Sequence, residues 1–163
     1  MPTRGTELAP AADVVFPVRV EVPEAGIDVE VEPVGVVDSG EMQLPADTEV
    51  AGWYEYGPVP SSPAGTTILA AHVDSLTYGL GPFSKLKDLG AGAAVLVTTS
   101  DGAIHRYTIA TIDRVAKTDI SLNAVFDRVG TPQLVMITCG GRFDHKTRHY
   151  LDNVLVTAMP ATP

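Results

Sequence analysis

The chain has 163 residues, of which 45% are hydrophobic, with one cysteine and a formal net charge of -9. This length suits one domain with a hydrophobic core. The acidic charge, without a dense cluster of lysine or arginine, excludes the usual footprint of a nucleic-acid-binding protein. One cysteine excludes an internal disulfide and a cysteine-rich zinc site, and no apolar stretch is long enough to cross a bilayer.

The N-terminal segment differs in composition from the rest of the chain. Residues 1–16 are rich in Pro, Ala and Thr without periodicity, which predicts a flexible leader. The folded domain is expected over residues 17–159, with a short tail at 160–163. The leader lacks a signal-peptide-like apolar run, so an exported form is expected to carry its targeting segment upstream of this sequence.

Two segments near the start of the domain alternate apolar with charged residues. Residues 18–22 and 27–31 have the period of strands with one face in water. Three prolines bound these segments, at Pro17, Pro23 and Pro33. Proline cannot donate to a ladder of hydrogen bonds, which favours short or edge strands here.

The remaining chain predicts further strands with brief helices between them. Segments rich in apolar and β-branched residues predict strands at 66–71, 94–99, 104–112, 134–139 and 153–158. Asp101-Gly102, between two of these segments, predicts a hairpin. Short helices are expected at 83–89 and 121–128. Many short strands joined by turns predict a mostly β fold, a closed or nearly closed β-barrel.

The only cysteine of the chain closes one of the apolar runs. Cys139 follows residues 134–138 and precedes Gly140-Gly141, where the backbone is expected to turn sharply. A second apolar run, 68–71, ends at His72. A thiolate is a nucleophile and an imidazole can carry protons near neutral pH, while Arg148 can stabilise an anion. Together they predict nucleophilic catalysis.

Each of these residues also has a structural interpretation. A cysteine at a strand end is commonly a small buried hydrophobe, and only its combination with His72 and the Gly-Gly pair favours reactivity. Asp74 either orients His72 or caps the turn after the strand. His145 and His149 have metal-ligand spacing only on a helix, and the segment is expected to be a loop. No metal or other cofactor is predicted.

Three strings carry a family resemblance. They are Ala-His-Val-Asp-Ser at 71–75, Ile-Thr-Cys-Gly-Gly-Arg-Phe-Asp at 137–144 and Tyr-Leu-Asp-Asn-Val at 150–154. Together they resemble the sortases, and are most similar to class F; Gly35-Val36, Met42, Pro45 and Gly52-Trp53-Tyr54 also fit. The resemblance covers roughly residues 17–158 and implies an eight-stranded β-barrel with a few short helices.

The resemblance also implies an activity. A sortase is a cysteine transpeptidase that cleaves a sorting signal of the Leu-Pro-x-Thr-Gly type through a thioester and passes the acyl group to an amine. The amine usually belongs to a peptidoglycan precursor, so the reaction anchors proteins to the cell wall. Such an enzyme works on the extracellular face of a Gram-positive cell membrane, held by an N-terminal segment that precedes this sequence. Its site residues here are Cys139, His72 and Arg148.

The arginine departs from the family pattern. In most sortases it immediately precedes the apolar run of the last strand, where this chain has Asp152-Asn153, and Arg148 lies earlier. Arg142 and Asn153 therefore stay open as alternatives for the group that stabilises the oxyanion.

The long connection at residues 117–131 is a candidate binding loop. Its apolar members Ile120, Leu122 and Val125 are predicted to line a pocket for the Leu and Pro of the sorting signal, or to anchor the loop. Thr138, beside the cysteine, is also assigned to substrate binding. Two rival functions share the sequence features: a hydrolytic cysteine peptidase and a non-catalytic cell-surface β-domain.

Overall fold

The computed structural model describes residues 15–35, 44–45, 47–60, 62–72, 74–75, 79–116, 129–144 and 149–161. The backbone alone is described at 74–75, 79–80, 115–116, 139–144 and 149–153. The strands are β1 Pro17–Val22, β2 Ile27–Val34, β3 Val50–Tyr54, β4 Thr66–Ala70, β5 Asp74–Ser75, β6 Gly79–Leu80, β7 Ala94–Thr99, β8 Ile104–Ala116, β9 Gln133–Asp144 and β10 His149–Pro160. Two 3-10 helices lie at Pro23–Ala25 and Pro82–Asp88.

Eight of the described strands close into one barrel. Their order is β1-β2-β3-β4-β9-β10-β8-β7, and β7 pairs back onto β1. The pairs β2–β3 and β4–β9 are parallel and the others are antiparallel. The mostly β fold and the closed barrel expected from the sequence are confirmed. Strands β5 and β6 form a separate two-stranded sheet.

The prolines near the start of the barrel do not mark an edge, so of the two expected alternatives the edge strand is wrong, whereas β1 is a short strand of six residues. Pro23 ends β1 and opens a 3-10 helix, where its missing N–H is not needed. Pro33 lies inside β2, which pairs with both β1 and β3. The β1–β2 register ends at Glu30, so Pro33 interrupts no bond to β1.

The core fills the inside of the barrel with alternate residues of its strands. Val20, Val95, Met136 and Val156 are among the members with no exposed surface. The predicted helical segment near residue 83 is a 3-10 helix that begins at Pro82, and its Phe83 side chain is fully buried in the same core. No helix in the described parts of the chain is long and apolar enough to cross a membrane.

The predicted Asp-Gly hairpin joins β7 to β8. Gly102 has a φ of +89°, a conformation that glycine adopts without strain. The carboxylate of Asp101 accepts hydrogen bonds from the Thr99 hydroxyl at 2.6 Å and the Ala103 N–H at 3.1 Å. These bonds, that from Thr99 foremost, lower the pKa of Asp101.

The segment after Cys139 differs from the sequence expectation. Gly140-Gly141 does not turn, because β9 continues to Asp144 and pairs with β10 from His149 onward. The register of the β9–β10 pair shifts between Tyr150 and Asp152. The leader up to residue 14 and the helix predicted at 121–128 lie outside the described residues.

Candidate functional site

The parallel strands β4 and β9 bring the two predicted reactive residues to one end of the barrel. Their register runs from Thr66–Gln133 to Ala70–Ile137, and a hydrogen bond from the Ala71 N–H to the Ile137 carbonyl, at 3.2 Å, extends it. The same register continued by two residues places His72 beside Cys139. Neighbouring strands lie about 4.8 Å apart, so these two backbone positions are adjacent.

The other neighbour of Cys139 is Asn153. These two residues are opposite each other in the antiparallel β9–β10 pair, and Asn153 is in turn opposite Val115 of β8. His72, Cys139, Asn153 and Val115 therefore form one row across four adjacent strands, which we call the active row.

Alternation along the strands assigns the active row to the outer face of the barrel. Leu134 and Met136 of β9 and Leu69 and Ala71 of β4 belong to the core. Successive residues of a strand lie on opposite faces. The positions of His72 and Cys139, three residues beyond Leu69 and Met136, consequently fall on the outer face.

The outer face next to the active row is apolar and covered. Ile68, Ala70 and Val135 are at most 4% exposed, although they do not belong to the core cluster. We call these three residues the apolar floor. The sequence analysis missed them, yet a signal existed: strands that are apolar on both faces, such as 68–71, are typical of a sheet covered on both sides.

The connection after β8 begins beside the active row. Its last strand residue, Ala116, pairs with Asp152, which also pairs with Gly140. The described chain resumes at residue 129, and the Gly130 carbonyl accepts a hydrogen bond from the Gly65 N–H at 2.6 Å, near the start of β4. The two described ends of the connection therefore lie near Gly140 and near the start of β9. Its members Ile120, Leu122 and Val125 lie outside the described residues.

The three candidates for stabilising an anion differ in their relation to Cys139. Asn153 is directly opposite it, and Arg142 lies three residues further along β9. Arg148 lies outside the described residues. The next residue, His149, pairs with Asp144, about 16 Å along the strand from Cys139 at the usual rise per residue.

Thr138 makes a contact that the sequence did not predict. Its side chain is 3% exposed, and its hydroxyl donates to the Ala71 carbonyl at 2.7 Å. Asp74 opens β5, two residues after His72, and its backbone pairs with Leu80. A contact between Thr138 and substrate, and the orientation of His72 by Asp74, stay predictions.

Comparisons with known proteins agree with this architecture. The family model of the sortase domain matches residues 20–161. The comparison with curated proteins finds no match.

Several solved sortase structures are similar to the chain. Sortase C-1 from Actinomyces oris is 18% identical, with a TM-score of 0.69, and the alignment covers 90% of this chain and 72% of that one. A Clostridium perfringens sortase D5 transpeptidase is 17% identical, with a TM-score of 0.65, and the alignment covers 90% of this chain and 79% of that one. The lid mutant of Streptococcus agalactiae sortase C1 is 16% identical, with a TM-score of 0.67 and coverage of 90% and 69%. At these identities the likeness shows the fold.

Proposed function

Because the chain belongs to the sortase family, whose members are cysteine transpeptidases of the cell surface, we propose that Cys139 is its nucleophile and His72 its proton carrier. The observation that supports this proposal is the β4–β9 register, which pairs Ala70 with Ile137, two residues before His72 and Cys139. A thiol and an imidazole on neighbouring positions of the outer face can both reach the same peptide bond of a substrate.

The chemistry proceeds in two acyl transfers. The Cys139 thiolate attacks the carbonyl carbon of Thr in the Thr–Gly peptide bond of the signal. The tetrahedral oxyanion then collapses as the C–N bond breaks. His72 gives a proton to the departing amine, which leaves a thioester on the sulfur. An incoming amine then attacks the thioester, His72 takes its proton, and the thiolate departs.

The oxyanion needs a donor, and the backbone favours Asn153. It is opposite Cys139, and cross-strand neighbours have Cβ atoms about 5 Å apart. A side-chain amide N–H at that position can donate to the oxyanion that forms on the substrate carbonyl when the sulfur attacks. Arg148, which the sequence favours, is the charged alternative for the same role.

We propose that an apolar peptide binds on the side of the active row where the apolar floor lies. Ile68, Ala70 and Val135 are already at most 4% exposed, so the floor itself offers a sorting signal little further surface to bury. Ile120, Leu122 and Val125 belong to the connection that leaves β8 beside the row, and they are proposed to form the facing wall. We propose a Leu-Pro-x-Thr-Gly signal, a peptidoglycan-type amine and a class F assignment, supported by the motif at 137–144.

A peptide-transfer assay tests this function. The protein is incubated with a Leu-Pro-x-Thr-Gly peptide with and without an added amine, and mass spectrometry follows the protein and the products. Because the chain has one cysteine, an acyl adduct can be assigned to Cys139, and Cys139→Ala is the matched control. We expect the adduct and an amide product with the amine. If the peptide is only hydrolysed even when the amine is present, the protein is a peptidase. If folded protein forms no acyl adduct, the assignment of Cys139 as nucleophile is contradicted.

A further inference from the structure

The hydroxyl of Thr138 makes a hydrogen bond across the end of the β4–β9 ladder. The paired residues of the two strands end at Ala70–Ile137. One residue further, the Ala71 carbonyl accepts a hydrogen bond from the Thr138 hydroxyl at 2.7 Å. This side-chain bond joins the two strands immediately before the positions of His72 and Cys139.

We propose that Thr138 is a positioning residue that fixes His72 relative to Cys139, an inference that rests on the function proposed above. The Ala71 carbonyl belongs to the peptide unit that joins Ala71 to His72, and this unit is planar. Holding its oxygen sets the orientation of the plane from which His72 extends. Thr138 is itself joined to Cys139 by one peptide bond, so this hydrogen bond links the two positions.

The location of Thr138 favours a positioning role over direct contact with the substrate. Thr138 shares its face of β9 with Leu134 and Met136, which belong to the core, and its side chain is 3% exposed. The positions of His72 and Cys139 lie on the opposite, outer face. Thr138 thus acts on the active row from inside the barrel, through the backbone.

The chain also provides a matched control for this hydrogen bond. At the other end of the same strand pair, the Thr66 hydroxyl accepts a hydrogen bond from the Gln133 side-chain amide at 3.0 Å, and Thr66 is 1% exposed. Both threonines are buried and both link β4 to β9. Thr66 lies six residues from His72, about 20 Å along the strand. Thr66→Val therefore removes a comparable bond far from the active row.

The test has two measurements. One is the rate at which iodoacetamide alkylates the single cysteine across a range of pH, and the other is kcat and KM for peptide transfer. Both are made on Thr138→Val, Thr138→Ser and Thr66→Val, and thermal unfolding checks that each variant is folded. Valine keeps the shape of threonine and removes the hydroxyl. A misplacement of about 1 Å at a reacting group costs on the order of 100-fold in rate. We expect a fall of about this size in kcat for Thr138→Val with little change in KM, recovery with serine, and no change with Thr66→Val.

A double variant shows whether the effect passes through His72. With His72→Ala as the background, alkylation of Cys139 remains measurable without turnover. If Thr138 acts by positioning His72, Thr138→Val changes the alkylation rate and its pH profile in the wild-type background and adds nothing to His72→Ala.

Two results overturn the inference. One is that Thr138→Val and Thr66→Val have the same alkylation profile and the same kcat. The other is that Thr138→Val has the same effect with and without His72. Failure of the proposed function has a different signature, since wild-type protein then forms no acyl adduct with the peptide, whatever the alkylation rates of the variants.

Discussion

Asn153 is directly opposite Cys139 in the antiparallel pairing of the last two barrel strands. This relationship places an amide-bearing residue beside the proposed nucleophile, where the sequence pattern of the family leads one to look for an arginine. On its other side Asn153 pairs with Val115, so its backbone is held in the sheet by two strands. A donor held in this way is suited to stabilising charge, because it needs no rearrangement during the reaction.

We therefore predict that Asn153→Ala lowers kcat/KM for peptide transfer by on the order of 100-fold, the typical loss for one oxyanion donor. Arg148→Ala and Arg142→Ala are measured beside it under the same conditions, with thermal unfolding to confirm that each variant folds. The three variants separate the candidates. Wild-type turnover in Asn153→Ala together with a large loss in Arg148→Ala would assign the role to Arg148.

His72→Ala is predicted to lower the rate of acyl transfer by about 100- to 10,000-fold, the range for loss of a general acid–base group. The hairpin supplies the matched control. His105 of β8 is a partly buried histidine, and one of its ring nitrogens lies 3.2 Å from the Thr99 hydroxyl. His105→Ala should leave transfer unchanged. Equal rates for the two variants in the mass-spectrometric assay would contradict the assignment of His72.

The sequence predicted those parts of the fold that depend on local patterns. The alternation at residues 18–22 and 27–31 and the Asp101-Gly102 turn correspond to β1, β2 and the β7–β8 hairpin. Gly140-Gly141 misled the prediction, because glycine favours a turn only where no partner strand is present. Here β10 pairs with this segment, and tertiary pairing overrides local preference.

The site was harder to predict than the fold for a related reason. Cys139 and His72 stand out in the sequence by residue type, but their proximity follows from a parallel register between β4 and β9. Strand pairs of this kind are joined by long connections, and no local pattern encodes their register. The Thr138–Ala71 hydrogen bond depends on the same register, and so it could not be found from the sequence.

A close approach between Gly81 and the backbone of Thr48 makes a prediction about stability. A Cβ atom on Gly81 would lie 2.5 Å from the Thr48 carbonyl oxygen, and Thr48 is 1% exposed. Gly81→Ala is therefore expected to destabilise the protein by about 1–3 kcal/mol through overpacking. Gly90→Ala is the control, because no atom lies within 4 Å of its Cβ position. Urea unfolding of both variants checks this, and equal stabilities would show that Thr48 moves freely.

The last prediction concerns alkaline pH and Tyr107. This side chain is 3% exposed, and its hydroxyl donates to the Pro60 carbonyl at 3.5 Å. Burial raises the pKa of Tyr107 to about 12, whereas an unfolded tyrosine ionises near pH 10.

The folded state therefore holds this proton more tightly than the unfolded state. Its contribution to stability is full below about pH 10 and is lost as pH rises through about 12. Tyr107→Phe cannot ionise, so its free energy of unfolding should fall less steeply than that of the wild type over this interval. At neutral pH the variant should lose less than about 1 kcal/mol, because the hydrogen bond is long. Denaturant unfolding at several pH values measures both effects, and parallel curves for the two proteins would show that Tyr107 ionises alike in both states.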